Sequence, residues 1–143
     1  MIESSLRPAS VTHRFPRSRR SPGRARTAFR DWAAAQGISP ATMETGEVLV
    51  GELAANAVFA ATGPGRQIEV RCTLDDGTLQ VEVSDAGDGT PVVRSPKPLD
   101  EHGRGMVLVD ALADDWWVTG RAGPGKTVCV TLKLSGPDPL TAC

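Results

Sequence analysis

The sequence has few of the features that would point at once to a compartment or a metal chemistry. It contains three cysteines, Cys72, Cys129 and Cys143, and no CxxC or other metal-binding spacing connects them. Two of them fall within apparent strands and the third is the last residue, so neither a zinc site nor a disulfide framework is predicted. No apolar run approaches the length of a membrane span, and the first ten residues lack the apolar core of a signal peptide. We therefore expect a soluble protein of the reducing cytoplasm.

Net charge is also nearly absent, but the charges are unevenly distributed. The 143 residues carry a formal charge of -1, whereas residues 1–30 contain eight arginines and a single acid, Glu3. This segment therefore carries +7 and the remaining residues carry -8. A basic segment can contact nucleic acid or an acidic protein. Because it lacks regularly interleaved aromatic residues, and because arginine is also a common solubilising residue, nucleic acid is the less favoured partner.

Two helices are predicted in the first half of the chain, after a short edge strand from Thr12 to Pro16. Each helix starts at a serine-proline pair, Ser21-Pro22 and Ser39-Pro40, with serine as the N-cap and proline in the first helical position. The first helix is expected to end at Gly37, and the second before the glycine-proline-glycine at residues 63–65.

The second half of the chain changes to the period-two alternation of strands. Residues 68–73 and 79–83 alternate on either side of an Asp-Asp-Gly turn, which predicts a β-hairpin with one solvated face. A short helix over residues 106–113, a strand over residues 116–119 and a last strand through residues 128–134 follow. This order predicts an α+β fold, a two-layer sandwich with a mainly antiparallel mixed sheet and helices on one face. We expect a flexible basic arm at residues 1–14, one domain at 15–135 and a tail at 136–143.

The most informative stretch is the long second helix, residues 42–61. At about 100° per residue, one face collects the residues expected in the core, which are Met43, Val50, Leu53, Ala54, Ala57 and Ala61. Glu52 and Asn56 lie one turn apart on nearly the opposite face, beside apolar Val48 and Phe59. A solvated face would carry more charges, so this face predicts a lined pocket. A carboxylate one turn from an amide oxygen suits a magnesium-nucleotide site, and an exposed Glu beside a tolerated Asn is the alternative.

A second motif matches a familiar pattern but lies in the wrong context. Residues 120–127 fit GxxxxGK[ST], the signature of the phosphate loop. That loop requires a following helix, whose N-terminal amides cradle the phosphate. Here the next residues, VCVTLKL, alternate as a strand does, so a hairpin turn is the favoured interpretation.

Two glycine-containing segments complete the set of candidate motifs. Asp85-Ala-Gly87-Asp-Gly89 follows a strand, where a tight turn and a ligand-binding carboxylate with close backbone approach are both consistent with the residues. Gly103-Arg104-Gly105 opens the short helix, which is typical of both an ordinary loop and a phosphate-binding helix start.

The order of these motifs resembles one protein family. The sequence runs from Glu52-Leu-Ala-Ala-Asn56 through the Asp85 and Gly103 segments to Gly125-Lys-Thr127. This order is similar to that of the GHKL superfamily of histidine-kinase, gyrase and heat-shock-chaperone ATPases. It is most similar to the small bacterial branch of anti-sigma-factor serine/threonine kinases, over about residues 15–134. The segments GRGMVLVDALADDWWV and GKTVCVTL resemble the actinobacterial versions in particular.

The resemblance implies ATP and Mg²⁺ as cofactors and assigns roles to the motif residues. By it, Asn56 coordinates Mg²⁺, and Glu52 is the catalytic base that orients and deprotonates the attacking hydroxyl. Asp85 binds the adenine amine, with help from the hydroxyl of Thr127. The other implied cofactor-binding residues are Gly87 and Gly89 near the base, and Gly103, Arg104, Gly105 and Met106 near the phosphates. A lid over about residues 94–104 would cover the phosphates.

The resemblance also implies a reaction and partners. The expected enzyme is a serine/threonine protein kinase that phosphorylates an antagonist protein and controls a sigma factor, as a homodimer paired through its first helix. The family usually carries a basic residue or histidine soon after the Asn, where this chain has Phe59-Ala60-Ala61. That departure favours an alternative, a degenerate ATP-binding or protein-interaction module without kinase activity. His13 and His102 do not lie in a two-helix phosphoacceptor context, so a sensor histidine kinase is not expected.

Overall fold

The computed structural model describes residues 9–60, 67–85, 103–120 and 126–134, without the side chains of residues 60 and 103–105. The elements in chain order are β1 (Ala9–Pro16), α1 (Ser21–Ala35), α2 (Pro40–Ala60), β2 (Gln67–Asp75), β3 (Thr78–Asp85), α3 (Gly103–Leu112), β4 (Asp115–Gly120) and β5 (Lys126–Lys133). The strands form one sheet in the order β1-β2-β3-β5-β4. All four pairings among these described strands are antiparallel. The predicted α+β architecture is confirmed.

The strand β1 begins earlier than the sequence predicted. Residues 9–14, which were expected to belong to a flexible arm, pair with β2 from Ala9 opposite Leu74 to Pro16 opposite Gln67. The arm boundary at residue 14 is therefore wrong for these residues. The reason is an alternation that begins before residue 12, since Val11 packs against the core and Phe15 is buried within it. As predicted, β1 is an edge strand.

The start of α1 differs from its prediction and its end agrees. Ser21 is inside the helix rather than its N-cap, because its hydroxyl donates a hydrogen bond to the carbonyl of Pro16. That bond ties the start of the helix to the end of β1. At the other end Gly37 has φ +78°, and Ile38 N–H donates to the Ala33 carbonyl at 3.0 Å. This is a Schellman stop, which the predicted glycine makes possible.

The start of α2 follows its prediction closely. The Thr42 amide donates to the Ser39 hydroxyl at 3.3 Å, so Ser39 caps the helix and Pro40 occupies the first helical position.

The predicted β2–β3 hairpin also forms, through a two-residue turn. Asp76 and Gly77 have φ values of 54° and 76°, which is the geometry that an Asp-Gly pair favours in tight hairpins.

The core lies between α2 and one face of the sheet. The predicted α2 stripe is buried at Val50, Leu53, Ala54 and Ala57, and it also includes Leu49, which the sequence did not single out. No helix in the described part of the chain is both long and apolar enough to cross a membrane.

Two cysteines lie within the described residues, and both are free thiols. Burial raises the pKa of the Cys72 thiol to about 12. Burial, with the nearby Glu82 charge, raises the pKa of Cys129 to about 11. Both cysteines are therefore protonated at neutral pH.

Two glycines of α2 let it pack closely on α1, and one of them predicts a measurable cost. A Cβ on Gly46 would lie 2.5 Å from Cζ of Phe29, which is 2% exposed and cannot move without disturbing the core. Overpacking costs about 1–3 kcal/mol, against about 1 kcal/mol gained when alanine replaces glycine in a helix. We expect Gly46→Ala to lower the free energy of unfolding by up to about 2 kcal/mol in urea denaturation.

The matched control is Gly51→Ala in the same helix. There the added Cβ meets the Arg26 side chain, with Nη1 at 2.8 Å. Arg26 is exposed, so its guanidinium can turn away. We expect Gly51→Ala to be neutral or to raise the free energy of unfolding by up to about 1 kcal/mol. Equal losses at the two glycines would contradict this account of the helix contact.

Candidate nucleotide-binding site

The side of α2 that carries Glu52 and Asn56 is turned away from the core, as the helical spacing predicted. Both residues are half-buried, whereas Val48 is 36% and Phe59 is 64% exposed. The side chains form one stripe, because positions four residues apart lie one above the other on a helix. Within the described part of the chain, the Glu52 carboxylate has no hydrogen bond or ion pair. Its oxygens can therefore accept a proton or a hydrogen bond from a ligand.

Asn56 is positioned by a residue from α3. Its amide nitrogen Nδ2 donates to the sulfur of Met106 at 3.1 Å, and the Met106 side chain is buried. A thioether sulfur can only accept a hydrogen bond, so it selects the amide nitrogen of Asn56. The carbonyl oxygen Oδ1 is then directed away from the sulfur. That oxygen is the hard donor that a divalent cation requires.

The first turn of α3 lies beside Asn56, because Met106 is the fourth residue of that helix. The helix begins at Gly103, as the predicted motif required, and no acidic residue occurs in its first turn. The N-terminal amides of a helix favour an anion, and the absence of acidic side chains leaves that preference in place. An oxygen that is able to bind a cation and a helix start that is able to bind an anion therefore meet at the contact between α2 and α3.

The contact between Asn56 and Met106 leads to a direct prediction. Met106→Leu keeps the volume of the side chain, so the stability should change by less than about 1.5 kcal/mol. It removes the acceptor that orients the amide, and such supporting contacts at metal sites are worth about 10-fold or more. We expect the Kd for Mg²⁺-ATP to rise about 10-fold in calorimetric titration. Met43→Leu, at a partly buried methionine elsewhere on α2, is the control, and equal affinities for the two variants would refute the role of the sulfur.

The predicted base-binding residues Asp85 and Thr127 do not face the same way. Ser84 pairs with Thr127, and their hydroxyls lie 2.8 Å apart. Side chains alternate along a strand, so Asp85 lies on the face opposite to Ser84 and Thr127. Val83, two residues before Asp85, belongs to the core between sheet and helices. Asp85 therefore lies on the helix side of the sheet and Thr127 on the other side. The prediction that Thr127 assists Asp85 at the base is not supported by this register.

Lys126 occupies the face on which Thr127 was expected. Val128 and Val130 of β5 lie in the core. Lys126 is two and four residues away from them on the same strand, so its side chain lies on the same face of the sheet. Continuing the register from Ser84 opposite Thr127 places Lys126 opposite Asp85. Lys126 is half-buried. The sequence contained this signal, since the alternation of the last strand already placed Lys126 in step with its core residues.

The position of β5 also excludes a phosphate loop at residues 120–127. Lys126 and Thr127 are the first residues of β5, so a strand and not a helix follows the motif. The prediction that the match to GxxxxGK[ST] is not a phosphate loop is confirmed. Several predicted site features lie outside the described residues, namely Gly87, Gly89 and the lid up to residue 102, as does the side chain of Arg104.

A second surface lies along α1. An open groove of about 770 Å³ is lined by four arginines, Arg19, Arg20, Arg24 and Arg26, and by one acid, Asp31. The arginines come from the basic segment that the sequence identified. Their positive charge makes this groove complementary to acidic groups.

Comparison with known proteins agrees with the fold. The model of the histidine kinase-like ATPase domain family matches residues 15–132, so the chain belongs to this family. Among 13 solved chains that match significantly is that of the RsbU and RsbW domains of Rv1364c from Mycobacterium tuberculosis. It aligns over 92% of this chain with a TM-score of 0.67 and 21% identity, which shows a common fold. The chain covers 33% of that neighbour's length. No curated protein matches the sequence significantly.

Proposed function

We propose that this ATPase-family domain is a serine/threonine protein kinase of the anti-sigma-factor type. It would transfer the γ-phosphoryl group of ATP to a serine or threonine of an antagonist protein and so control a sigma factor. The observation that supports this most directly is the oriented amide of Asn56, held at 3.1 Å by Met106 beside the first turn of α3. Glu52 lies one turn away on the same side of α2.

The residues present fit Mg²⁺ with a nucleotide. In the described residues no group of three or more His, Cys, Asp or Glu side chains could hold a metal by itself. Mg²⁺ commonly uses one or two protein oxygens together with substrate phosphates, which is what a single carboxamide oxygen can offer. Asn56 would hold the ion, which when bound neutralises charge on the phosphates.

Glu52 would act as the general base. Its carboxylate is half-buried and has no hydrogen bond or ion pair among the described residues, so it can accept the proton of an attacking serine or threonine hydroxyl. The first turn of α3 would stabilise the phosphates through its amides. Phosphoryl transfer requires positioning and charge stabilisation more than a special nucleophile, and these residues offer both.

The partners belong to the proposal as well. A sigma factor and an antagonist protein are the partners that the family resemblance implies, and a homodimer through α1 is the implied assembly. The arginine-lined groove on α1 and β1 supports a partner that presents acidic side chains.

A second candidate function follows from Phe59. This residue is 64% exposed on the stripe of Glu52 and Asn56, where the family usually has a basic residue or histidine nearby. Without that residue, one contact to the phosphates is missing. This favours a module that binds ATP, or that binds only partner proteins, and does not transfer a phosphoryl group.

The experiment that tests the nucleotide site is calorimetric titration of ATP into the whole chain with and without Mg²⁺. The proposed kinase requires binding that strengthens at least about 10-fold when Mg²⁺ is present, as expected for a bridging metal. Transfer of labelled γ-phosphate to purified anti-sigma-factor antagonist proteins then separates the kinase from the ATP-binding module. The absence of binding at millimolar ATP would leave only the protein-interaction function.

A further inference from the structure

Three residues from three neighbouring strands form a row at one end of the sheet, on its helix side. Asp85 ends β3, Lys126 begins β5, and Gly120 ends β4 opposite Lys126. Continuing the register of β3 with β5 by one residue beyond Ser84 and Thr127 places Asp85 opposite Lys126. Directly opposite residues have Cα atoms about 4.5–5.5 Å apart. An acceptor and a donor therefore lie side by side at this edge.

The surroundings of this row leave space on the side of β4. A Cβ built on Gly120 would meet no atom of the described residues within 4 Å, so among these residues the row has open space next to Lys126. Asp85 and Lys126 both take part in other interactions within the protein. A carboxylate has about four acceptor sites and an ammonium has three donors, so both groups retain capacity for a ligand.

The position of Asp85 and Lys126 relative to the phosphate-binding elements suits the base of a nucleotide. Helix α2 ends at Ala60 and β2 begins at Gln67, with Ile68 opposite Asp85. Ala57, the residue after Asn56, packs in the same buried core as Ile68, which places the Asn56 end of α2 on this side of the sheet. A nucleotide whose phosphates lie at Asn56 and α3 would therefore direct its base toward Asp85 and Lys126.

We propose that Lys126 is a base-recognition residue, donating a hydrogen bond to N1 of adenine while Asp85 accepts one from the adjacent exocyclic amine. This inference rests on the proposed nucleotide-binding function. The adenine edge presents one donor and one acceptor next to each other, and the pair Asp85 and Lys126 presents the complement. Thr127, on the opposite face and bonded to Ser84, makes no contact with the base.

The test compares ligands that differ at single ring atoms. ATP, 1-deaza-ATP, which lacks N1, and 7-deaza-ATP, which keeps it, are each titrated with Mg²⁺ into the whole chain and into Lys126→Met. The unmodified chain should bind 1-deaza-ATP about 10-fold more weakly than ATP, the usual loss for a hydrogen bond from a charged donor. It should bind 7-deaza-ATP like ATP. Lys126→Met should bind ATP about 10-fold more weakly and should no longer distinguish 1-deaza-ATP from ATP.

Each outcome has a definite meaning. Equal affinity of the unmodified chain for ATP and 1-deaza-ATP overturns the role of Lys126, and it needs no variant to fold. Unchanged ATP affinity in Lys126→Met also overturns it, and shows that Lys126 serves only the protein's own contacts. Thr127→Val is the neighbouring control and should leave the preference for N1 intact. Failure of the unmodified chain to bind ATP at all is a failure of the proposed function, which is thereby distinguished from failure at the base.

Discussion

Replacing Asn56 by alanine is expected to weaken Mg²⁺-dependent ATP binding about 100-fold, equivalent to about 2.7 kcal/mol. The variant removes the only hard oxygen donor that the described part of the stripe places one turn from Glu52. It also leaves the Met106 sulfur without its donor, which costs little because sulfur is a weak acceptor. The loss should therefore appear in binding and not in folding. Calorimetric titration of ATP with and without Mg²⁺ measures it directly.

The pattern of the loss is as informative as its size. Affinity for ATP without Mg²⁺ should change only slightly in Asn56→Ala, because the proposed role of the amide is to hold the ion. Thr45→Ala is a matched control, since Thr45 is also half-buried on α2 and, among the described residues, bonds only to the Ala41 carbonyl of its own helix. Should Asn56→Ala keep its response to Mg²⁺, the ion lies elsewhere and the assignment of this residue fails.

Most of the fold follows from signals that lie close together in the sequence. The cap at Ser39, the stop at Gly37 and the Asp76-Gly77 turn depend on a few neighbouring residues, and each forms as expected. Ser21 shows the limit of such signals. Its hydroxyl could cap its own helix or bond to a neighbouring segment. In the structure it donates a hydrogen bond to the Pro16 carbonyl. Only the packing of α1 against β1 decides between these alternatives.

The candidate site likewise combines features that local spacing predicts with a contact that only the folded chain creates. Glu52 and Asn56 lie on one side of a single helix, so their proximity follows from helical geometry alone. The contact of Asn56 with Met106 joins residues 50 positions apart and could not be read from the spacing. The sequence named Met106 by resemblance only, without its orienting contact.

Thr127 and Lys126 show how two kinds of sequence signal can favour neighbouring residues. The family resemblance favoured Thr127, because Gly125-Lys-Thr127 is the last of the motifs that carry it. Strand parity favoured Lys126, because it is in step with Val128 and Val130 in the core. On a strand, a shift of one residue moves a side chain to the opposite face of the sheet. We therefore expect strand parity to be the stronger criterion for deciding which residue meets a ligand there.

The Glu52→Gln variant should separate binding from transfer. Glutamine has nearly the shape of glutamate but cannot accept the proton of an attacking hydroxyl at neutral pH. We expect ATP affinity to stay within about 3-fold, while transfer of the γ-phosphoryl group to an antagonist protein falls by 10²- to 10⁴-fold, the usual contribution of a general base. The measurement pairs calorimetric titration with the rate of label transfer from γ-labelled ATP at saturating nucleotide.

Glu47→Gln provides the matched control on the same helix. Glu47 is also half-buried, but it forms an ion pair with Arg30 of α1 at 3.6 Å. The Arg30 side chain in that pair is largely exposed, and an ion pair of this kind contributes about 0–1 kcal/mol, so its loss should leave both ATP binding and transfer near their original values. A parallel fall in binding and transfer for Glu52→Gln would show that Glu52 supports the nucleotide and is not the base. Unchanged transfer would place the base on another residue, because phosphoryl transfer to a hydroxyl still requires that its proton be accepted.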